Sequence, residues 1–392
     1  MKATALPRSN VPSFPRYCWF FIIGYVLAPM TSWRVWKVGP GEIFCLLGCI
    51  SYLGDRYKAI SSIGSLKIRS NYMNEFWIEF LLTALFGCLW CTIAYPEESS
   101  PVQLLTWIYL AIVSLVSFNA FRDIKELDSL ILFTCSIATI WYILLYIYGE
   151  MIDTHFVGAN LWYGYKAHFT GGANNPHQLA LPMAVNALVL ATEAFKKQLR
   201  IPSKILCLVL SIMSVWILWE TDSSTGKMAL AVGFVLSILS SIEDGEVRLL
   251  VIFVALTVSV LCSDELISAF MRWVSSDSNG QGRLEIFSTF PQAFTKGPVF
   301  GLGPGNHAYE GAMEFHNTYL EVLSMSGLFG GLIFLIFTLQ ILRRIRNNTI
   351  SAAIVFALYA FGFSGFAFRR LTYWLLLSFA INIADKTCKV PD

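Results

Sequence analysis

The chain has 392 residues, of which 56% are hydrophobic and only 14% are charged, and its mean hydropathy is +0.59. So little polar surface cannot solubilise a globule of this size, which excludes a soluble enzyme and indicates a protein whose solvent is a lipid bilayer. The formal net charge of +2 is close to balanced, and no nucleic-acid partner is expected from it.

Apolar runs long enough to cross a bilayer, roughly 15–25 residues each, recur along the whole chain. They predict an all-α, polytopic membrane protein with about 12 transmembrane helices, built as a single integral membrane domain over residues 1–392 without an internal repeat. The runs lie at 17–33, 41–54, 75–95, 104–120, 129–149, 176–194, 205–219, 228–242, 249–263, 317–341, 350–367 and 371–384.

Basic residues fall mostly on one side of these predicted spans. If the N-terminus is cytoplasmic, the inside segments hold most of the 28 Lys and Arg residues, and this bias predicts both termini in the cytoplasm. The first run follows a basic stretch, but no small-x-small cleavage site follows Trp33 and Arg34, so an uncleaved helix is expected. The segment 264–315, between the ninth and tenth helices, then faces outside.

The nine cysteines lie in or beside apolar runs, apart from Cys388 in the C-terminal tail. Cys88 and Cys91 form a C-x-x-C, but they lie inside the apolar run 75–95, where a redox or zinc pair would lack partners. We therefore interpret the cysteines as small buried packing residues, and we predict neither a metal site nor a cofactor.

Basic residues on the outer side run against the positive-inside bias, which makes them candidate functional groups. Arg283 opens the segment 283–294, whose apolar residues recur near helical spacing and predict an amphipathic helix along the membrane surface. The arginine at headgroup depth either binds a ligand or only anchors the helix. The loop 296–306 that follows is rich in glycine and proline, which permits tight turns and close backbone approach to a ligand.

Three more outer groups have a predicted chemistry. His316 lies at the N-terminus of the tenth helix, where the helix dipole disfavours imidazolium and keeps the ring able to accept a proton as a general base. A histidine at a helix end is also commonly a cap or interface residue. Arg369 and Arg370 lie between the last two runs with almost no loop, and Lys227 lies at the outer end of the eighth run. Cations placed this tightly indicate an anionic partner, either lipid phosphate in general or one phosphorylated ligand.

Together these residues resemble the signature region of the O-antigen ligase and O-antigen polymerase superfamily. The resemblance rests on Gly-Arg-Leu-Glu at 282–285, Gly-Leu-Gly-Pro-Gly at 301–305, His-Asn-Thr-Tyr-Leu at 316–320 and Gly-Leu-Phe-Gly at 327–330. Upstream, Asn-Asn-Pro-His at 174–177 resembles the family's asparagine-proline turn, and Ser-Ser-Thr-Gly-Lys at 223–227 its serine-plus-basic motif. The chain departs from the family pattern at Lys227, where arginine is frequent, and at His177, where asparagine is frequent.

The resemblance implies a metal-independent glycosyltransferase of the GT-C type, without a cofactor, that takes a glycan from undecaprenyl pyrophosphate at the periplasmic face of the bacterial inner membrane. Preorganised cations would meet the charge on the leaving pyrophosphate, and a base would take the acceptor's proton, with inversion at the anomeric carbon. The implied catalytic residues are His316, Arg283 and Glu285. The implied pyrophosphate ligands are Arg283, Arg370, Lys227 and Arg369. The implied substrate-lining residues are Asn317, Tyr319, Asn175, His177 and Glu314, and Glu285 and Glu314 are alternatives for orienting the histidine or acting as the base.

The reaction itself stays open between two enzymes of the superfamily. The agreement of Gly-Pro-Gly followed by His-Asn-Thr-Tyr-Leu with extracellular and capsular polysaccharide polymerases favours a polymerase, and the alternative is a ligase that transfers finished polymer to lipid A core. A lipid-linked oligosaccharide transporter is a third class, but transporters usually show interrupted helices in two related halves. The implied partners are the lipid-linked glycan, membrane lipid, a chain-length regulator and a flippase.

Overall fold

The structure is a computed structural model that describes residues 14–35, 38–63, 72–99, 102–151, 168–196, 199–242, 283–306, 314–346 and 348–387. In this part of the chain the regular elements are helical, and the β structure is limited to an isolated bridge between Val35 and Val38. The α-helices are α1 (Arg16–Leu27), α2 (Pro40–Ile63), α3 (Tyr72–Ala94), α4 (Val102–Arg122), α5 (Leu127–Met151), α6 (Pro176–Ala194), α7 (Ile201–Glu220), α8 (Ser224–Ser241), α9 (Arg283–Ser288), α10 (Phe290–Lys296), α11 (Thr318–Ile345), α12 (Thr349–Gly362) and α13 (Leu371–Thr387).

The predicted all-α, multi-pass membrane architecture is confirmed at this level. Six of the described helices are long and apolar enough to cross a membrane, namely α3, α4, α5, α7, α8 and α11, and α1 and α12 are shorter apolar helices. The predicted ninth run at 249–263 lies outside the described residues. The total of about 12 spans therefore stays a prediction.

Several predicted runs differ from the helices in their bounds or continuity. The run 17–33 ends as a helix at Leu27, shortly before Pro29, which lacks the amide needed to continue it. The predicted amphipathic helix 283–294 is two short helices that meet at Thr289, because Pro291 fits only the first turn of a new helix. The run 350–367 becomes a turn-rich loop after Gly362.

The connections between helices gather at two ends of the bundle. One end, called here the His316 end, holds the loop residues 28–35, 38–39, 168–175, 221–223, 314–317 and 363–370, which hydrogen-bond to one another or to the helix ends beside them. The opposite end holds the junctions near 56, 123–128, 193–196, 344–346, 348 and 385–387, which are joined by ion pairs and hydrogen bonds. In the described part of the chain, the residues predicted as outer and as inner thus separate into two groups in space.

Helix α13 is the central element of the bundle. Its residues 371–384 are all buried, as expected for a helix that is apolar on every side and surrounded by others. Trp374 packs on Trp77 of α3 with ring centroids 4.4 Å apart, and Phe379 stacks on Phe121 of α4 at 3.9 Å. The residues that directly precede α13, including Arg370, therefore lie near the middle of the His316 end.

Candidate functional site

The loop 363–370 is fixed to the N-terminus of α11. The Asn317 side-chain amide donates to the Phe363 carbonyl at 2.9 Å. The Thr318 hydroxyl donates to the Gly365 carbonyl at 2.9 Å and accepts from the Ala367 amide at 3.0 Å. Because Asn317 and Thr318 directly follow His316, these bonds bring the histidine and the two arginines of the loop to the same place.

The same loop is joined to the N-terminus of α8. The Ser364 hydroxyl donates to the Thr225 hydroxyl at 2.8 Å, and both side chains are buried. One turn earlier, Ser223 caps α8 by accepting from the Gly226 amide at 3.1 Å. The serine-plus-basic motif therefore lies beside the arginine loop, as the sequence resemblance implied.

Helix α6 joins the cluster through His177. Asn175 caps this helix by accepting from the His177 amide at 2.8 Å, and the His177 ring lies 2.6 Å from the Ser223 hydroxyl, Nδ1 to Oγ. The N-terminal ends of α6, α8, α11 and α13 thus meet at the His316 end. The positive ends of four helix dipoles and their backbone amides favour negative charge in this region.

His316 is held in an unusual backbone conformation. Its φ is +49°, in the left-handed region that costs a residue with a Cβ about 1–2 kcal/mol. It lies directly before Asn317, which caps α11 by accepting from the Tyr319 and Leu320 amides at 2.9 and 3.1 Å. A sharp turn at the histidine therefore separates the incoming chain from the helix, and the ring is partly exposed.

The two arginines of the loop differ in their partners. Arg369 pairs with Glu314 and its guanidinium lies 5.3 Å from the centre of the Phe366 ring. Arg370 is partly buried and, among the described residues, its side chain makes no hydrogen bond or ion pair. Burial and the neighbouring Arg369 lower the pKa of Arg370 to about 10, which leaves the guanidinium charged at neutral pH. An anion bound here would supply the missing partner.

Arg34 is a cation near this site that the sequence analysis did not select. It lies in the loop between α1 and α2, where it pairs with Glu42 at 2.5 Å, and both groups act electrostatically on Arg370. The predicted topology already placed Arg34 on the outer side. Proximity to Arg370 could not be predicted, because the two residues are far apart in the chain.

Lys227 is already occupied by protein groups. Its ammonium lies 2.9 Å from the Asp222 carboxylate and 4.3 Å from the centre of the Trp219 ring. The His168 ring is also close to Asp222, with 3.9 Å between Nδ1 and Oδ2. A pyrophosphate role for Lys227 therefore requires the ligand to compete with Asp222.

The predicted catalytic pair Arg283 and Glu285 begins α9, but their side chains lie outside what the structure describes. The short helices α9 and α10 are anchored through Ile286 and Ala293, which are buried with Phe315. This apolar face packs on the residue before His316, and a location along the membrane surface stays a prediction. Arg283 starts the helical turn that ends at Ile286.

The glycine-rich loop approaches another helix and not an open ligand site. Helix α11 is broken at Gly327, with φ +61°. There the Leu328 and Phe329 amides donate to the Pro298 and Val299 carbonyls at 2.9 and 3.2 Å, while the Leu302 and Gly303 amides donate to the Ser324 and Met325 carbonyls at 3.0 and 2.9 Å. The loop 298–303 therefore replaces the two intrahelical bonds that the break removes.

The last two predicted substrate-lining residues have partners in the protein. Tyr319 donates its hydroxyl to the Tyr359 carbonyl at 3.0 Å and packs its ring 4.8 Å from that of Phe363, so it attaches α11 to α12. Glu314 is engaged by Arg369, and action as a base would first require this pair to open.

Similarity to a known protein family covers part of the chain. No curated protein matches the chain. A sequence model of the family described as O-antigen ligase matches residues 208–335, a range that includes Lys227, Arg283 and His316 but not Arg370 or His177. The match confirms the resemblance predicted from the signature motifs: over residues 208–335 the chain is similar to this family of the O-antigen ligase and polymerase superfamily.

Proposed function

We propose that this protein polymerises oligosaccharide repeat units carried on undecaprenyl pyrophosphate, at the periplasmic face of the bacterial inner membrane. The observation that carries the proposal is the junction of α11, α13 and their loops. It brings His316 together with Arg370, which has no ion pair among the described residues, where four helix N-termini meet. A base and an anion site are the two elements that metal-free glycosyl transfer from a pyrophosphate needs.

In the proposed reaction, an acceptor hydroxyl oxygen attacks the anomeric carbon of the donor sugar. A new glycosidic C–O bond forms as the C–O bond to pyrophosphate breaks, and the electron pair of that bond leaves with the undecaprenyl pyrophosphate. The hydroxyl proton passes to the His316 ring. Arg370, aided by the helix dipoles and by Arg283, stabilises the charge on the departing phosphate.

Attack opposite to the leaving group inverts the anomeric centre. Asn175, His177 and Asn317 lie around this region and are proposed to line the glycan side of the site. Lys227 and Arg369 are proposed as further phosphate ligands that become available when the ligand displaces Asp222 and Glu314. The proposal requires the His316 end to face the periplasm and the opposite end, with both chain termini, to face the cytoplasm.

The alternative is a ligase that moves finished polymer onto lipid A core by the same chemistry, and the matching family is described as O-antigen ligase. The two enzymes differ in what accumulates when the gene is deleted. Loss of a polymerase leaves single repeat units on the core, whereas loss of a ligase leaves full-length glycan on the lipid carrier.

The experiment is complementation of a deletion strain with wild type, His316→Ala, Arg370→Met or Arg344→Met, with the amount of folded membrane protein measured for each. Arg344 is the matched control, because it is an arginine paired with Asp385 at the opposite end. We expect loss of the base in His316→Ala to slow glycan extension roughly 10²–10⁴-fold and Arg370→Met to block it, while Arg344→Met supports normal extension. Normal glycan with His316→Ala or Arg370→Met would contradict the mechanism at that residue.

A further inference from the structure

Glu321 is a buried carboxylate that the proposed chemistry does not use. It lies in the first turns of α11 and is 3% exposed. Its Oε1 accepts from the Phe315 amide at 2.6 Å, which is a short hydrogen bond. A buried carboxylate is costly unless its contacts offset the loss of water, so a specific use for Glu321 is expected.

The Phe315 amide that Glu321 holds belongs to the residue directly before His316. On the other side of the histidine, Asn317 is fixed twice, because its side chain caps α11 and donates to the Phe363 carbonyl. The left-handed conformation of His316 thus lies between two tethered residues. Backbone strain of this kind persists only where the surroundings hold it in place.

We propose that Glu321 is the positioning residue for His316. Its carboxylate fixes the Phe315 amide so that the chain turns at His316 and presents the imidazole beside the arginine loop. This inference rests on the proposed function, because it takes His316 to be the base. Phe315 itself is buried and packs against Phe290 of α10, with ring centroids 5.6 Å apart. The hydrogen bond from its amide to Glu321 therefore also fixes the position of His316 relative to the segment that begins at Arg283.

The alternative use of Glu321 is direct proton transfer. The Arg369–Glu314 ion pair is close enough to act on Glu321 electrostatically, so a carboxylate here could take part in the chemistry itself. Two substitutions separate these roles. Glu321→Gln keeps the size and an oxygen that accepts from the Phe315 amide but has no carboxylate proton chemistry, and Glu321→Leu removes the acceptor while filling a similar volume.

The test measures kcat and KM for a lipid-pyrophosphate-linked repeat unit with purified protein, per mole of folded enzyme. For a positioning residue we expect Glu321→Leu to lower kcat roughly tenfold to a hundredfold, as losses of supporting hydrogen bonds do, with KM changed by less than about threefold. Glu321→Gln should retain kcat within about threefold. Equal losses of kcat in both variants would show that the carboxylate takes part directly in proton transfer. Full activity of Glu321→Leu would show that Glu321 neither positions His316 nor transfers a proton. Either result overturns the proposal.

A matched control separates positioning from general damage to a buried carboxylate. Glu193 is 4% exposed and lies near the end of α6 at the opposite end of the bundle, paired with Lys196. Glu193→Leu should reduce the yield of folded protein but leave kcat per folded molecule unchanged. A fall in kcat equal to that of Glu321→Leu would assign the effect to fold damage and contradict the inference.

Hydrogen exchange gives a readout that needs no turnover. Amide exchange in peptides covering 314–320 should be faster in Glu321→Leu than in wild type and close to wild type in Glu321→Gln, because only the leucine leaves the Phe315 amide without its acceptor. Unchanged exchange in Glu321→Leu overturns the tether. If wild type forms no new glycosidic bond, the proposed function fails, and this outcome is distinct because the exchange comparison is read without substrate.

Discussion

At the opposite end of the bundle, some of the partly buried cations are paired with carboxylates. Arg344 pairs with Asp385 at 2.7 Å, and Lys196 lies within 3.0 Å of both Asp128 and Glu193. At the His316 end, Arg369 has its carboxylate, but among the described residues Arg370 beside it has no hydrogen bond or ion pair. Among the described residues, Arg344 and Lys196 therefore have counter-charges within the protein, and an anion bound beside Arg370 would supply the one that it lacks.

The positions of residues with positive φ also distinguish the two ends of the bundle. Within the described ranges, every residue with positive φ lies on the His316 side of the bundle or at the break in α11: Asp222, His316 and glycines 171, 172, 301, 303, 305 and 327. Positive φ is strained at Asp222 and His316, which carry a Cβ, and it costs little at the glycines. The two strained residues therefore lie at the end of the bundle that is proposed to bind the substrate.

The largest expected effect concerns the backbone conformation on the His316 side of the bundle. Gly301 has φ +73°, and a Cβ there would lie 2.2 Å from the Met325 carbonyl carbon. Gly301→Ala should therefore cost about 3–5 kcal/mol through backbone strain and overpacking. Thermal unfolding of detergent-solubilised protein, followed by size-exclusion fluorescence, measures the loss.

Gly54→Ala in α2 is the matched control, because the residue is helical and a Cβ there would meet no atom of a neighbouring element within 4 Å. Alanine should keep or raise stability there by up to about 1 kcal/mol. If Gly301→Ala unfolds at the same temperature as Gly54→Ala, the backbone conformation at Gly301 does not distinguish the two ends of the bundle.

A second prediction concerns the difference in charge pairing between the two ends of the bundle. Inorganic pyrophosphate should raise the unfolding temperature of wild type, by about 1.4 kcal/mol of stability at a concentration tenfold above its Kd, and should have no effect on Arg370→Met. Without ligand, Arg370→Met should be as stable as wild type or more stable, because it removes a desolvated cation. The measurement is thermal unfolding over a pyrophosphate titration.

Arg344→Met should give the opposite result for stability without ligand and for the response to pyrophosphate. It removes one member of the Arg344–Asp385 pair and should cost about 1 kcal/mol, as expected for a partly exposed ion pair, while the response to pyrophosphate persists. If both variants lose stability and both still respond to pyrophosphate, the two ends do not differ in the way described.

The smallest expected effect concerns His316 itself. Alanine and glycine both remove the imidazole, but only glycine adopts φ +49° without strain, so His316→Gly should be more stable than His316→Ala by about 1 kcal/mol. At Thr192, inside α6 near the opposite end, the order should reverse by up to about 1 kcal/mol, because glycine is the poorer helix former. Thermal unfolding of the four variants gives the relative stability of alanine and glycine at each site. If the same residue is the more stabilising one at both sites, the backbone conformation assigned to His316 is contradicted.

The sequence predicted the helical class, which is confirmed, and it selected candidate site residues for identifiable physical reasons. Arg370 could be selected because two arginines between apolar runs oppose the positive-inside bias, and His316 because it precedes a long apolar run. The Arg369–Glu314 pair and the tether from Glu321 could not be predicted, because they depend on where loops meet in space. The glycines near 301 indicated close backbone approach, but the pattern alone could not distinguish a ligand from Met325 of α11.

The broken helix has a consequence for how the chain can vary in length. The loop supplies two carbonyls at 298 and 299 and two amides at 302 and 303, which are matched one by one to α11 roughly 14 Å along the helix from its start. Insertion or deletion of a residue between 299 and 302 would put one pair out of register and leave backbone groups unpaired within the bundle, at several kcal/mol each. The number of residues between 299 and 302 is therefore fixed by the break in α11, and changes in chain length are expected only on either side of this loop.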